Sequence, residues 1–161
     1  MDQVAVFSED RAYRYVLKRN TGFGSETCLF LMLNPSTADE IINDATVSRC
    51  IDYSNMWGYG NLIVCNLFAY RATLPSDMKK VNDPIGPDNN HWINASALKA
   101  DKIIVAWGVH GAYKNRSQYV LKEVLDLKNM PVYHLGLTKD GEPKHPLYLK
   151  KLLEPIRYRS D

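Results

Sequence analysis

Only three cysteines occur in 161 residues, at positions 28, 50 and 65. None belongs to a CxxC pair, none has a histidine at metal-ligand spacing, and each has apolar neighbours. That pattern points to buried, reduced thiols and away from a metal site. An iron–sulfur cluster normally takes one cysteine more than the chain has. His91, His110, His134 and His145 are far apart in the chain and form no HxxxH pair, so no metal and no cofactor are expected. No apolar run approaches the ~20 residues of a membrane span. Met1 to Glu9 carries acids where a secretion signal would run from basic to apolar. A cytoplasmic protein without membrane contact is the expectation. Charge of one sign is also scarce: the net charge is +2, with 24% of residues charged. That balance neither demands nor excludes nucleic acid as a partner. Repeats, low-complexity tracts and linkers are absent.

What is present suits one domain over residues 1–161, expected to be a monomer, with 45% hydrophobic residues to build a core. Four apolar runs, Thr27 to Leu33, Asn61 to Asn66, Lys102 to Trp107 and Pro131 to Leu135, are continuous rather than alternating. Such runs predict parallel strands buried on both faces. Between them lie helical patterns over Ala45 to Trp57, Asn89 to Ala100 and Ala112 to Leu127. For the first of these, Asp44 or Asn43 serves as the N-cap and Gly58 follows the end. Alternation of this kind predicts an α/β fold in three layers, α/β/α, around a central parallel four-stranded sheet. Residues 12–18 predict an additional strand at an edge, and Ala72 to Asn90 a long loop of the functional kind.

Ligands bind beyond the carboxyl ends of parallel strands. There the sequence places Asn34-Pro35-Ser36-Thr37, Asn66 to Arg71, Trp107-Gly108-Val109-His110-Gly111 and, beyond Gly136, His145-Pro146-Leu147-Tyr148. Polar, aromatic and glycine residues cluster where the apolar runs stop, so all four strand ends converge on one site. Of the basic residues only Arg71, Lys139 and Lys144 flank these motifs; the others, Arg11, Arg14 and Arg19 among them, read as scattered solvated charges.

These strand-end motifs, in this order, resemble those of the uracil-DNA glycosylase superfamily. LeuAsnProSer at 33–36 resembles its first motif, LeuIleValCysAsn at 62–66 its strand ending in a base-recognising asparagine, AlaTrpGly at 106–108 its third strand, and HisProLeuTyr at 145–148 its closing motif. Within the superfamily the chain most resembles the DUF1643 family, through LeuAsnProSerThrAlaAsp at 33–39, AsnLeuPheAlaTyrArgAlaThr at 66–73, AspProIleGlyPro at 83–87 and LysAspGlyGluProLysHisProLeuTyr at 139–148. Two features depart from the superfamily. Its most active branch has aspartate where this chain has Asn34, and its closing histidine follows the last strand closely, whereas His145 lies well beyond Leu135. The second departure leaves His134 as a competitor for the catalytic histidine.

The resemblance implies a monofunctional DNA glycosylase, which hydrolyses the N-glycosidic bond of a flipped pyrimidine in duplex DNA and leaves an abasic site. A modified cytosine or uracil in foreign, phage DNA would be one such target. That reaction needs a stabiliser for the departing base, a positioned water and a pocket for the extruded nucleotide. His145 can donate to a base carbonyl. Asn34 can orient the water but cannot take its proton. Pro35, Ser36 and Thr37 would shape the turn facing the substrate. Asn66 would read the base edge, uracil-like or cytosine-like, and Phe68 and Tyr70 would stack on the base. Arg71, Lys139 and Lys144 would touch phosphates, while Leu147 or Tyr148 would fill the space the base leaves. Trp57 and Trp107 read as core residues. Two other readings remain open: a nucleotide or nucleoside hydrolase or transferase using the same pocket, and a non-catalytic binder of modified nucleic acid.

Overall fold

The computed structural model describes residues 4–158. Along the chain come β1 (Val4–Phe7), β2 (Arg14–Asn20), β3 (Thr27–Met32), α1 (Ala45–Met56), β4 (Asn61–Asn66), α2 (Pro75–Met78), α3 (Asn89–Lys99), β5 (Lys102–Val105), α4 (Arg116–Tyr119), β6 (Val132–His134) and β7 (Ile156–Arg157). The strands form one mixed sheet in the order β1-β2-β4-β3-β5-β6-β7. β4, β3, β5 and β6 pair in parallel and coincide with the four apolar runs. Antiparallel neighbours extend this set on both sides, β2 and β1 beyond β4, and β7 beyond β6. The sheet therefore has seven strands of mixed direction, where the sequence predicted a parallel sheet of four.

Burial explains why β2 is internal rather than at the edge expected for residues 12–18. Arg14, Tyr15, Val16 and Leu17 are all buried, so the strand needs cover on both sides. The half-exposed β1 takes the edge instead.

Each face of the sheet carries its own core. On one face Val47, Cys50 and Tyr53 of α1 join Phe30, Leu62 and Ile104. On the other, Ile93 and Ala97 of α3 join Leu29, Ile63, Val105 and the Val120–Val124 turn. The alternation of β3 between Phe30 and Leu29 is the pleat sending successive side chains to opposite faces. Three layers result. Asp44 caps α1 by accepting the Val47 N–H at 2.9 Å, and Gly58, with φ +86, follows the helix. Asn43, the other capping candidate, instead accepts from Arg19 Nε at 2.8 Å.

The helix predicted over Ala112 to Leu127 is broken into pieces. A 3₁₀ stretch, Val109–Asn115, passes through left-handed Lys114 and Asn115 before the single turn of α4 and a π-helical turn at Val120–Val124. The chain enters the predicted range from Gly111. A Cβ there would stand 2.1 Å from the Trp107 ring, so the backbone wraps the indole more closely than a regular helix permits. The loop predicted over Ala72 to Asn90 instead contains α2, and its last two residues open α3; the rest is irregular. All three thiols are free and buried; burial pushes Cys28 up to about 12 and Cys65 to about 11. Among the described residues no helix is long and apolar enough to cross a membrane.

Phe30 has no exposed surface and stacks against both Tyr53 and Trp57. Phe30→Ala should therefore cost about 3–5 kcal/mol in urea unfolding, while Phe23→Ala at a fully exposed site should stay within about 0.5 kcal/mol. Equal costs would show that the face under α1 is not a packed core.

Candidate functional site

At the carboxyl ends of β3 and β4, Met32 and Asn66 stand side by side in parallel register. Beneath them is a recess of ≈ 30 Å³ lined by Arg14, Asn34, Asp44, Asn66 and His145 among others. It has room for about one water-sized group. Asn34, Ser36, Thr46 and His145 also line a larger cleft of ≈ 410 Å³, which continues to Thr73, Trp107, His110, Leu147 and Tyr148. That volume falls in the usual range for small-molecule sites, roughly 300–1,000 Å³. Asn34, Asn66 and His145, from three distant parts of the chain, thus meet at one place. The wide cleft has the space for a ring, and the recess is its polar floor.

Asn66 is 1% exposed, and neither its Oδ1 nor its Nδ2 has a protein partner. An unsatisfied buried amide costs about 1–3 kcal/mol, so this side chain is poised for a group that supplies both a donor and an acceptor. Asn34 is committed differently: its Nδ2 donates to Ala72 O at 2.8 Å and to Pro35 O at 3.2 Å. Both donors tie the loop together, leaving Oδ1 as the atom that can accept from a water. His145 accepts the Leu147 N–H on Nδ1 at 3.3 Å, so in the neutral ring Nε2 carries the proton and can donate. Burial lowers its pKa against a weaker opposing pull from Asp44. A neutral donor at neutral pH follows.

His145 is held from two sides. The hairpin before it closes through Leu137 and Pro143, and the Gly108 N–H donates to Pro143 O at 2.7 Å. Glu142 in that hairpin accepts from both Trp107 Nε1 and Ser117 Oγ. After His145 the chain lies along α1, where Arg49 donates to Leu147 O and Tyr53 to Lys150 O. His134 lies elsewhere: it lines neither the recess nor the cleft, accepts the Gly136 N–H at 2.9 Å and meets Tyr158 edge-on.

Other predicted residues fall into four groups. Pro35 lines the recess, Ser36 both cavities, and Leu147 and Tyr148 the cleft, with Tyr148 90% exposed at its mouth. Thr37, Tyr70 and Arg71 line an adjoining groove of ≈ 430 Å³ with Arg11. The groove shares Ser36, Ala72 and Thr73 with the cleft, so the two are continuous. Lys139 and Lys144 are exposed on the hairpin and line none of these cavities. Phe68 corrects the expectation most sharply. It has no exposed surface and packs on Tyr113 in the core opposite α1, so it offers no face for stacking.

The sequence missed two contributors. Arg14, expected among solvated charges, is 2% exposed and lines the recess. Only its place in a strand that turns out to be internal could have signalled this. Asp44, predicted solely as a cap, lines the same recess while its oxygens accept the Val47 and Ala38 N–H groups. Arg19 is likewise buried, held by Asn43 and the carbonyls of Lys18, Asp39 and Ile42. At the cleft's far wall, Lys79 Nζ stands 2.9 Å from His110 Nδ1, and burial together with that charge lowers the pKa of His110. Among the described residues no group of three potential ligands could hold a metal ion.

Residues 14–147 match a family described as "Protein of unknown function (DUF1643)". The chain belongs to this family. The DUF1643 match begins at Arg14 and encloses every residue named in the recess, together with Leu147 of the cleft. No curated protein and no solved structure matches the chain.

His145, His134 and His110 all have pKa values lowered by burial from the ordinary 6.5. The unfolded chain then binds more protons than the folded one as pH falls below that value, so stability is full above it and lost on acidification. Melting temperatures should fall between about pH 7 and about pH 5, with a shallower slope in His145→Asn. Identical slopes in the two proteins would contradict a buried, neutral His145.

Proposed function

We propose that this protein is a monofunctional DNA glycosylase of the uracil-DNA glycosylase type, hydrolysing the N-glycosidic bond of an extruded pyrimidine. The observation that carries the reading is the unpaired Asn66 amide, which lines one recess together with Asn34 and His145. A base standing in the cleft would present its edge to Asn66. His145, neutral and protonated on Nε2, would donate to a base carbonyl as negative charge develops on the leaving group. Asn34 Oδ1 would accept a hydrogen bond from the attacking water and so orient it. Without a carboxylate there to act as base, the rate depends on stabilising the departing base. The continuous groove of Arg11, Tyr70 and Arg71 suits the flanking phosphodiester backbone. Tyr148, exposed at the mouth, is the side chain able to enter the emptied stack. The layered sheet with parallel inner strands and these motifs at their carboxyl ends supports membership of the superfamily. Uracil and modified pyrimidines of invading DNA are the substrates to try.

One observation favours a non-catalytic binder instead: the chain places an amide, Asn34, at the water position, and an amide cannot take a proton from the water. The two readings separate in one assay. Purified protein is incubated with duplexes carrying uracil, hydroxymethylcytosine or its glucosylated form, and abasic sites are scored by alkaline cleavage. Excision predicts abasic product, a loss of about 10²–10³ in rate for His145→Ala, and a comparable loss for Asn66→Leu. Binding without abasic product from any duplex, surviving Asn34→Ala and His145→Ala, would leave the binder reading.

A further inference from the structure

Two polar side chains are sealed into the floor of the cleft without protein partners for all their atoms. One is the Asn66 amide, unpaired at both ends; the other is the Arg14 guanidinium, unpaired at Nε. Both residues line the ≈ 30 Å³ recess. Arg14 is anchored by Nη1, which donates to Ala38 O at 3.1 Å. The ion pairs among the described residues, Arg11–Glu40 and Lys80–Asp77, do not involve it. Asp44 shares the recess, but its oxygens accept the Val47 and Ala38 N–H groups at 2.9 and 3.3 Å. Burial brings the Arg14 pKa down to about 10, so the guanidinium stays protonated at neutral pH.

We infer that Arg14 and Asn66 form a pocket for a single exocyclic oxygen of the base, and that Arg14 makes the site select an oxo group over an amino group. The inference rests on reading the cleft as a base-excision site and narrows which base fits. A guanidinium has donors only, whereas the Asn66 amide can turn to serve either kind of edge. An oxygen in the recess accepts from Arg14 Nε and Asn66 Nδ2, leaving Asn66 Oδ1 for a neighbouring ring N–H. An amino group there would set donor against donor and leave Arg14 unpaired. With the sugar held at the cleft mouth, the part of a pyrimidine ring that enters the floor is the one opposite the glycosidic nitrogen. In uracil and thymine that position bears oxygen. In cytosine and its 5-substituted forms it bears nitrogen.

The test uses oligonucleotides with a single 2′-fluoroarabino-uracil or 2′-fluoroarabino-cytosine, whose glycosidic bonds resist hydrolysis, and fluorescence anisotropy as the readout. The unmodified protein should bind the uracil probe about tenfold or more tightly than the cytosine probe, the fold-change expected of one unpaired buried donor. Arg14→Gln, which can turn an acceptor towards an amine, should bring the two within about threefold while retaining a cooperative melt. Equal binding of the probes by the unmodified protein, binding of neither, or an unchanged ratio in a folded Arg14→Gln protein overturns the inference. The comparison in the unmodified protein decides the matter even where the variant does not fold. Base release is scored separately on a cleavable uracil oligonucleotide. Release without discrimination overturns the role of Arg14 and leaves excision standing; discrimination without release overturns excision and leaves an oxo-selective nucleotide site.

Discussion

Beyond the end of β4 the chain stays buried, and there its carbonyls must find donors that no neighbouring strand supplies. Asn89 Nδ2 donates to Asn66 O at 2.9 Å and to Leu67 O at 3.0 Å, and Arg116 Nε donates to Leu67 O at 2.8 Å. Asn89 is the first residue of α3 and Arg116 the first of α4. Two helices on one face are therefore fixed by their opening residues to the same strand end. That face is closed by the arrangement, and Phe68 is enclosed with it. The Asn66 side chain faces the other way, towards α1, where the cleft lies.

On that open side α1 serves two ends at once. Its cap residue Asp44 forms part of the recess, and Arg49, Tyr53 and Trp57 donate to the carbonyls of Leu147, Lys150 and Leu153. The segment carrying His145 is thus laid down along the helix by side chains spaced roughly one turn apart. From below, Glu142 joins the same segment to Trp107 and Ser117. A histidine far beyond its strand reaches the strand ends because the intervening residues form a braced hairpin. The large sequence separation between β6 and His145 is spent on that hairpin.

The inner strands were legible because strands buried on both faces leave a continuous apolar signature, and Cys28 to Met32 and Leu62 to Cys65 carry it without interruption. The antiparallel flanks were not. β7 is two residues long and exposed, and β1 is half-exposed, so neither imposes a pattern. The broken helix escaped because the backbone turns left-handed at Lys114 and Asn115, where no glycine or proline marks the break. Within the site, Asn34, Asn66 and His145 could be read from motifs that end strands. Arg14 could not, since an arginine's burial depends on neighbours far along the chain. Phe68 was misplaced because following a strand end in sequence does not fix which face the side chain takes.

Arg14, Asn66 and His145 also come from β2, from β4 and from beyond β6. None of the three is close to another in sequence, so no local segment can build the recess by itself. The cavity is therefore a shared property of three remote stretches of chain, and displacing any one of them would erase it.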